Sequence, residues 1–248
     1  MRFLIITKKQ LMLGICALIA VIAVVIGSAT AFAGNDRKLP IYCVETEKKQ
    51  IAISFDAAWG NDDTQTLIDI LKEYNVPATF FVVGSWVDKY PESVRALAEN
   101  GNEIMNHSST HSHFSQLSHS DIIADITACN EKIAELTGVT PTLFRCPYGE
   151  YDDHVINAVN SMGMTAIQWD VDSLDWKGIS AAEIQKRVLS KVQPGSIILF
   201  HNAAENTPEA LPGIIESLLA DGYTIVPISK ILLSGEYYID NTGRQCGK

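Results

Sequence analysis

The chain has 248 residues, 47% of them hydrophobic, enough to bury one large core or at most two small ones. A formal net charge of −10 excludes the basic footprint that nucleic-acid binders carry. The stretch 49–233 has no block of like charge, no Pro/Gly/Ser linker and no internal repeat, so it reads as one folded unit between a connecting segment (34–48) and a C-terminal tail (234–248).

In chain order, Arg2, Lys8 and Lys9 come first and precede an uncharged, mostly apolar run from Leu11 to Ala33, long enough to cross a bilayer. The run ends in Ala29-Thr30-Ala31-Phe32-Ala33, the small-residue A-x-A arrangement of a signal-peptidase site. Residues 1–33 are therefore read as a signal peptide or an N-terminal membrane anchor. With the lysines held inside, both readings place the remainder outside the cytoplasm. Cys16 belongs to the apolar run, and Cys43, Cys129, Cys146 and Cys246 follow it with no zinc-ribbon spacing. An exported location permits disulfides, and Cys43 with Cys246, near the two ends of the folded unit, is the candidate bridge.

From residue 51 onward, short apolar runs alternate with amphipathic stretches. Ile51 to Phe55 reads as a strand before a helix at Thr64 to Tyr74, and Thr79 to Val83 as a strand before a helix at Pro91 to Glu99. Glu103 to Asn106 precedes a helix from Ser120 to Leu136, and Leu143 to Arg145 precedes one from Asp152 to Met162. Thr165 to Trp169, Ser196 to Phe200 and Thr224 to Pro227 complete about seven strands, with helices at Ala181 to Val192 and Pro208 to Ala220. This alternation predicts an α/β fold on a parallel sheet, doubly wound or closed into a barrel.

The strand ends carry polar residues, at the place where α/β folds build their sites. Asp56, Asn106 with His107, Arg145, Asp170 with Asp172, and His201 follow the first, third, fourth, fifth and sixth strands. His107 and His111 have the H-x3-H spacing that brings two imidazoles to one cation, zinc or a similar divalent ion. A solvated, His-rich turn is the alternative, with His113 and His119 nearby.

Five segments in order resemble the motifs of the NodB-type polysaccharide deacetylases of carbohydrate esterase family 4: Ser54 to Ala58, His107 to His111, Arg145 to Gly149, Asp172 to Trp176, and Leu199 to His201. Asp56 to Gly60 and Phe200 to Ala203 are most similar to the family's sporulation-associated branch. The resemblance covers 49–233 and implies a distorted (β/α)7 barrel that removes N-acetyl groups from a cell-wall or chitin-like polysaccharide, with peptidoglycan favoured. It implies Asp56 as general base, Arg145 as its tether, His201 as general acid and Asp175 as the carboxylate orienting that imidazole. His107 and His111 would hold the metal, zinc first and cobalt or nickel as alternatives. Pro147, Tyr148, Trp176 and Leu199 would line the substrate groove, Tyr148 supplying a backbone N–H to the oxyanion. The implied partners are an N-acetylated polysaccharide and, through the N-terminal segment, a membrane; the implied state is a monomer, with no nucleic acid.

One position departs from the family pattern. The first motif ordinarily carries two consecutive aspartates, the second binding metal, and here the second place is Ala57. Alanine offers no ligand, so the cation site is one carboxylate short. Asp56 turning to the ion, substitution by Asp62, Asp63 or His113, and completion by water or substrate are the three available repairs. Loss of hydrolysis with retention of a glycan-binding groove is the alternative function. Ester hydrolysis is a third reading, and a serine hydrolase is disfavoured because no G-x-S-x-G elbow occurs.

Overall fold

A computed structural model describes residues 37–248. The candidate signal peptide or anchor at 1–33 lies outside the described residues. Among the described residues no helix is long and apolar enough to cross a membrane.

The chain opens with β1 (Cys43–Val44) and β2 (Gln50–Ala57), then α1 (Thr64–Glu73), β3 (Thr79–Val82), α2 (Gly84–Lys89), α3 (Pro91–Glu99) and β4 (Glu103–Asn106). There follow α4 (His119–Thr137), β5 (Leu143–Phe144), α5 (Asp153–Ser161), β6 (Thr165–Ala166), β7 (Val171–Asp172), α6 (Ala181–Leu189) and β8 (Ile197–His201). The last elements are α7 (Thr207–Ala220), β9 (Thr224–Ile225), α8 (Ile228–Ile231), β10 (Tyr237–Ile239) and β11 (Arg244–Gly247). Local chemistry sets several helix starts. Ser118 and Asp152 accept from the backbone N–H groups of Asp121 and Val155, and Ser180 with Glu183 forms a reciprocal capping box on α6.

The main sheet has the order β6-β5-β4-β3-β2-β8-β7, with β9 also paired to β2, and every pairing in it is parallel. It curls into the distorted (β/α)7 half-barrel expected from the sequence. Of the strand read at 165–169 only Thr165–Ala166 forms β6, and a separate strand, β7, follows at Val171–Asp172. β6 pairs on one edge and β7 on the other, so residues 167–170 carry the chain across the opening between the two edge strands.

Strand alternation then sorts β2. Ile51, Ile53, Phe55 and Ala57 pack with Leu67, Ile68 and other helix residues, while Ala52 packs with Ile41, Phe81 and Ile167 on the other face. Ser54 and Asp56 share that second face, which is the inside of the barrel.

A second sheet, β1-β11-β10, was not anticipated. It joins the segment read as a connection to the segment read as a tail, β1 running parallel to β11 and β10 antiparallel to it. Gly195 makes this junction possible: it lies at φ +87°, accepts from Val44 N–H, and an added Cβ would fall 1.8 Å from Val44 O.

Cys43 and Cys246 are free, buried thiols rather than a bridge. Cys43 lies opposite Arg244, so Cys246 is displaced two residues along β11. Strand spacing and rise then put the two Cα atoms about 8 Å apart, beyond the roughly 6.8 Å that a disulfide spans.

Candidate active site

The register of the sheet assembles the site. Asp56 lies opposite His201 across β2 and β8 and opposite Phe81 across β2 and β3, while the Arg145 N–H donates to Asn106 O beside β4. The C-terminal ends of β2, β4, β5 and β8 thus meet at one rim. A cleft of about 390 Å³ opens there, lined by Asp56, Trp59, His107, His111, Tyr148, Gly149, Trp169, Asp172, Trp176, Leu199 and His201. Of the expected groove residues, Tyr148, Trp176 and Leu199 face this cleft. Pro147 is buried and opens the 3-10 turn Pro147–Gly149, so it carries Tyr148 rather than touching the cleft.

Arg145 is completely buried. Its Nη1 donates to Asp56 Oδ1 at 2.8 Å, and its Nη2 donates to Ser54 Oγ at 3.0 Å and Gln168 O at 3.2 Å. The guanidinium lies 4.1 Å from the Phe81 ring centroid and 5.5 Å from that of Trp169. Burial alone would push the Asp56 carboxyl up, but the charge and hydrogen bond of the buried Arg145 guanidinium, with positive charge at His201, outweigh it and hold the group below the ordinary carboxylate range. Asp56 is therefore an anion whose Oδ1 is occupied and whose Oδ2 faces the cleft.

On the opposite side, Asp175 collects four donors: His201 Nδ1 and Trp176 N–H on Oδ1, both at 2.8 Å, and His201 N–H at 2.8 Å and the Thr207 hydroxyl at 2.7 Å on Oδ2. Burial would lower the His201 value, yet the bond and charge of Asp175 raise it above the ordinary imidazole range. Asp175 thus favours the protonated ring, and Nε2 is left free of the Asp175 bond.

His107 Nδ1 donates to Arg145 O at 2.8 Å, which fixes the tautomer and leaves the Nε2 lone pair outward. That lone pair meets Asp56 Oδ2 at 3.5 Å. Burial pulls His107 down and His111 down to about 4, so both rings are neutral at pH 7, as ligands must be. The left-handed backbone of His111 (φ 55°) folds the loop back and brings the two rings to 5.1 Å between centroids. Gly84 lets this loop approach the start of α2: Gly84 N–H donates to Ser108 O, and a Cβ at Gly84 would lie 2.9 Å from Ser109 Cα. Ser108, His111, Tyr148, Leu174 and Ala203 all hold positive φ on the loops around the cleft, a concentration of backbone strain expected at a functional site.

The residues fit a divalent cation in part. Two acceptors facing each other at 3.5 Å, His107 Nε2 and Asp56 Oδ2, are an arrangement that a cation satisfies, with His111 alongside. Yet among the described residues no group of three or more His, Cys, Asp or Glu is placed to hold a metal. Ala57 adds no ligand: its side chain is buried and packs with the helix-side cluster of β2. Asp62 is exposed, Asp63 Oδ2 accepts from Ala203 N–H, and His113 is bound to Glu150 at 2.6 Å and stacked on Tyr148. None of these three lines the cleft, so among the protein side chains weighed as repairs only Asp56 stands beside His107.

Sequence reading passed over Trp59 and Asn202. Asn202 is buried, takes Ala58 N–H on its Oδ1 and donates to Trp59 O, so it ties the turn after β2 to the loop after β8. Trp59 is 56% exposed and lies over the site, 5.8 Å from His111 and 6.4 Å from His201 between ring centroids. A tryptophan three places after a site aspartate was a visible signal for Trp59. Asn202 stood within the segment Phe200 to Ala203 that carries the resemblance, but nothing there gave it a structural role.

The comparisons agree with this geometry. The polysaccharide deacetylase family matches residues 44–167. The chain is 35% identical over 188 residues to the peptidoglycan-N-acetylmuramic acid deacetylase PdaC of Bacillus subtilis, spanning 76% of this chain and 40% of that protein. It is 31% identical over 206 residues to the peptidoglycan-N-acetylglucosamine deacetylase of Bacillus cereus, spanning 82% and 75%. A solved CE4 family pseudoenzyme from Bacillus anthracis superposes with a TM-score of 0.75 at 32% identity, covering 77% of this chain and 68% of that one. With the motifs in order, the parallel half-barrel and these likenesses in agreement, the chain belongs to the polysaccharide deacetylase family.

Proposed function

We propose that the protein hydrolyses N-acetyl groups on a cell-wall polysaccharide, peptidoglycan in the first place, outside the cytoplasm. The observation that carries this reading is the pairing of two held groups across one cleft: Asp56 bonded to the Arg145 guanidinium, which favours its ionised form, and His201 bonded to Asp175, which favours its protonated form. Amide hydrolysis needs both, a base for the attacking water and an acid for the departing amine. Asp56 Oδ2 receives the proton of water, and His201 delivers one to the amine nitrogen as the C–N bond breaks. Trp169, Trp176 and Leu199 make part of the wall apolar, which excludes bulk water from the acetyl methyl group.

A divalent ion, zinc first, would be held by His107 and His111 beside Asp56 and would polarise the acetyl carbonyl. The sporulation setting rests on the resemblance at Asp56 to Gly60 and Phe200 to Ala203, and the export route on residues 1–33. A monomer is part of the same reading.

Ala57 and the likeness to a solved pseudoenzyme favour a second reading, in which the groove binds glycan without turnover. A mutant of that relative with restored enzymatic activity shares 33% identity with this chain. The deciding experiment is acetate release from N-acetylglucosamine oligomers and peptidoglycan fragments by metal-stripped protein titrated with zinc, cobalt or nickel. Metal-dependent release that disappears in Asp56→Asn is expected. Glycan binding without release under any metal would replace hydrolysis with the second reading.

A further inference from the structure

We propose that His113 and Glu150 form a brace across two strained loops of the site, holding Tyr148 against His111 so that oxyanion donor and metal ligand keep one geometry. The proposal rests on the reading of Tyr148 N–H as the oxyanion donor and of His111 as a ligand, and adds to it the residues that hold both in place. His113 and Glu150 are positioning residues, since neither lines the cleft.

The loop after β4 and the loop after β5 each carry a side chain of the site on left-handed backbone, His111 at φ 55° and Tyr148 at φ 60°. Residues other than glycine stay in that region only where their surroundings over-determine it. The Tyr148 side chain is 61% exposed, so burial in the core does not hold it. Two imidazoles hold it instead. His111 meets the ring edge-on, with 4.6 Å between centroids and 69° between planes, and His113 stacks on it at 4.4 Å and 14°.

His113 can act as a backstop because its backbone and its ring are both fixed. Phe114, the next residue, is fully buried and lies 5.2 Å from Phe144 between ring centroids, and His113 O accepts from Gln116 N–H. The His113 ring donates from Nδ1 to Glu150 Oε2 at 2.6 Å, and Ser115 Oγ donates to Glu150 Oε1. Glu150 N–H in turn donates to Pro147 O, and Gly149 O accepts from Gln168 Nε2 at 3.1 Å. The Glu150 carboxylate therefore ties the turn that carries Tyr148 to the segment that carries His113, and the stacked rings make a second tie between the same two loops. Without His113 the Tyr148 ring keeps its edge contact with His111 alone, and each loop can relax out of its left-handed residue. A ring stack is worth about twofold to tenfold in an equilibrium. Misplacing an N–H that serves the transition state lowers turnover and leaves ground-state binding unchanged.

The test compares wild type with His113→Ala, His113→Phe, Glu150→Ala and the double variant His113→Ala/Glu150→Ala, all as full-length chains in detergent. The readouts are amide hydrogen exchange of metal-free protein over residues 107–117 and 145–151, zinc affinity by competition with a chelating dye, and kcat and KM for acetate release from the N-acetylglucosamine tetrasaccharide. His113→Ala is expected to speed exchange in both loops about twofold to tenfold, to weaken zinc binding by a similar factor, and to lower kcat with KM unchanged. His113→Phe keeps a stacked ring and should recover most of each loss. Glu150→Ala should repeat the defect, and the double variant should be no worse than either single one, because the two residues act as a unit. Exchange over 145–151 that is the same in His113→Ala as in wild type overturns the brace. So does a His113→Phe variant as impaired as His113→Ala, strict additivity in the double variant, or a loss carried by KM alone. Wild type that neither binds zinc nor releases acetate removes the metal and hydrolytic readings, and the exchange rates then decide the brace by themselves.

Discussion

Replacing Arg145 by methionine removes the buried counter-charge of Asp56. The side chain is fully buried, and its loss strands the Asp56 carboxylate, 5% exposed, with His107 at 3.5 Å as the remaining nearby partner. At 2.8 Å and an effective dielectric of about 20 the gross attraction of the pair is roughly 6 kcal/mol, before the cost of desolvating both ions. Breaking a buried pair from one side costs about 3–5 kcal/mol, and the stacking of the guanidinium on Phe81 is included in what is lost. For a domain of this size that corresponds to a melting temperature lower by about 6–20 °C. Urea unfolding followed by far-ultraviolet circular dichroism at pH 7 gives the free energy directly. The double variant Asp56→Asn/Arg145→Met should be less destabilised than the sum of the single variants by about 2 kcal/mol or more, because the stranded charge is gone. A single-variant loss below about 1 kcal/mol, or strict additivity, would refute the assignment of Arg145 as the counter-charge that keeps Asp56 ionised.

Four further expectations follow from the same geometry. Ala57→Asp should unfold more readily than wild type when metal-free, since a carboxylate enters a site that is 1% exposed, and should gain more melting temperature from zinc than wild type does; equal zinc responses would mean that position 57 does not reach the cation. His201→Ala should suppress amide cleavage far more than cleavage of an activated ester, whose leaving group needs no proton, and comparable losses on both substrates would contradict the acid role. Asp175→Asn should move the alkaline limit of activity to lower pH, because the raised His201 value depends on that carboxylate. The stability that this raised value contributes is complete below about pH 6.5 and is lost as pH rises through the folded value, so the variant's stability deficit should shrink over that rise. Gly84→Ala should weaken zinc binding without unfolding the protein, its Cβ pressing on Ser109 and displacing the His107 to His111 loop; an unaltered zinc affinity would show that the loop yields freely.

The sequence by itself determined the alternation of strands and helices, because burial of parallel strands on both faces produces apolar runs such as Ile197 to Phe200 that local periodicity exposes. It also determined the chemistry at the rim, since Asp56, His107, Arg145 and His201 each follow directly on a strand, and a parallel sheet aligns such ends. Ala57 was legible as a missing ligand through the resemblance, whose first motif ordinarily carries a second aspartate at that place. The sequence did not determine which residues answer that vacancy. Asp62, Asp63 and His113 were as plausible as Asp56 along the chain, and only the loop paths commit Asp63 to Ala203, His113 to Glu150 and Asp56 Oδ2 to the face of His107. The β1-β11-β10 sheet was likewise invisible, because strands of two to four residues joining the two ends of the domain leave no periodic signal. The failure of Cys43 and Cys246 to pair depends on a register offset of two residues, which is a property of the sheet and not of either segment. Proton affinities were decided last of all: the Asp56 carboxyl is lowered and the His201 imidazole raised because burial is outweighed by particular neighbours, Arg145 for Asp56 and Asp175 for His201, that lie 89 and 26 positions away in sequence.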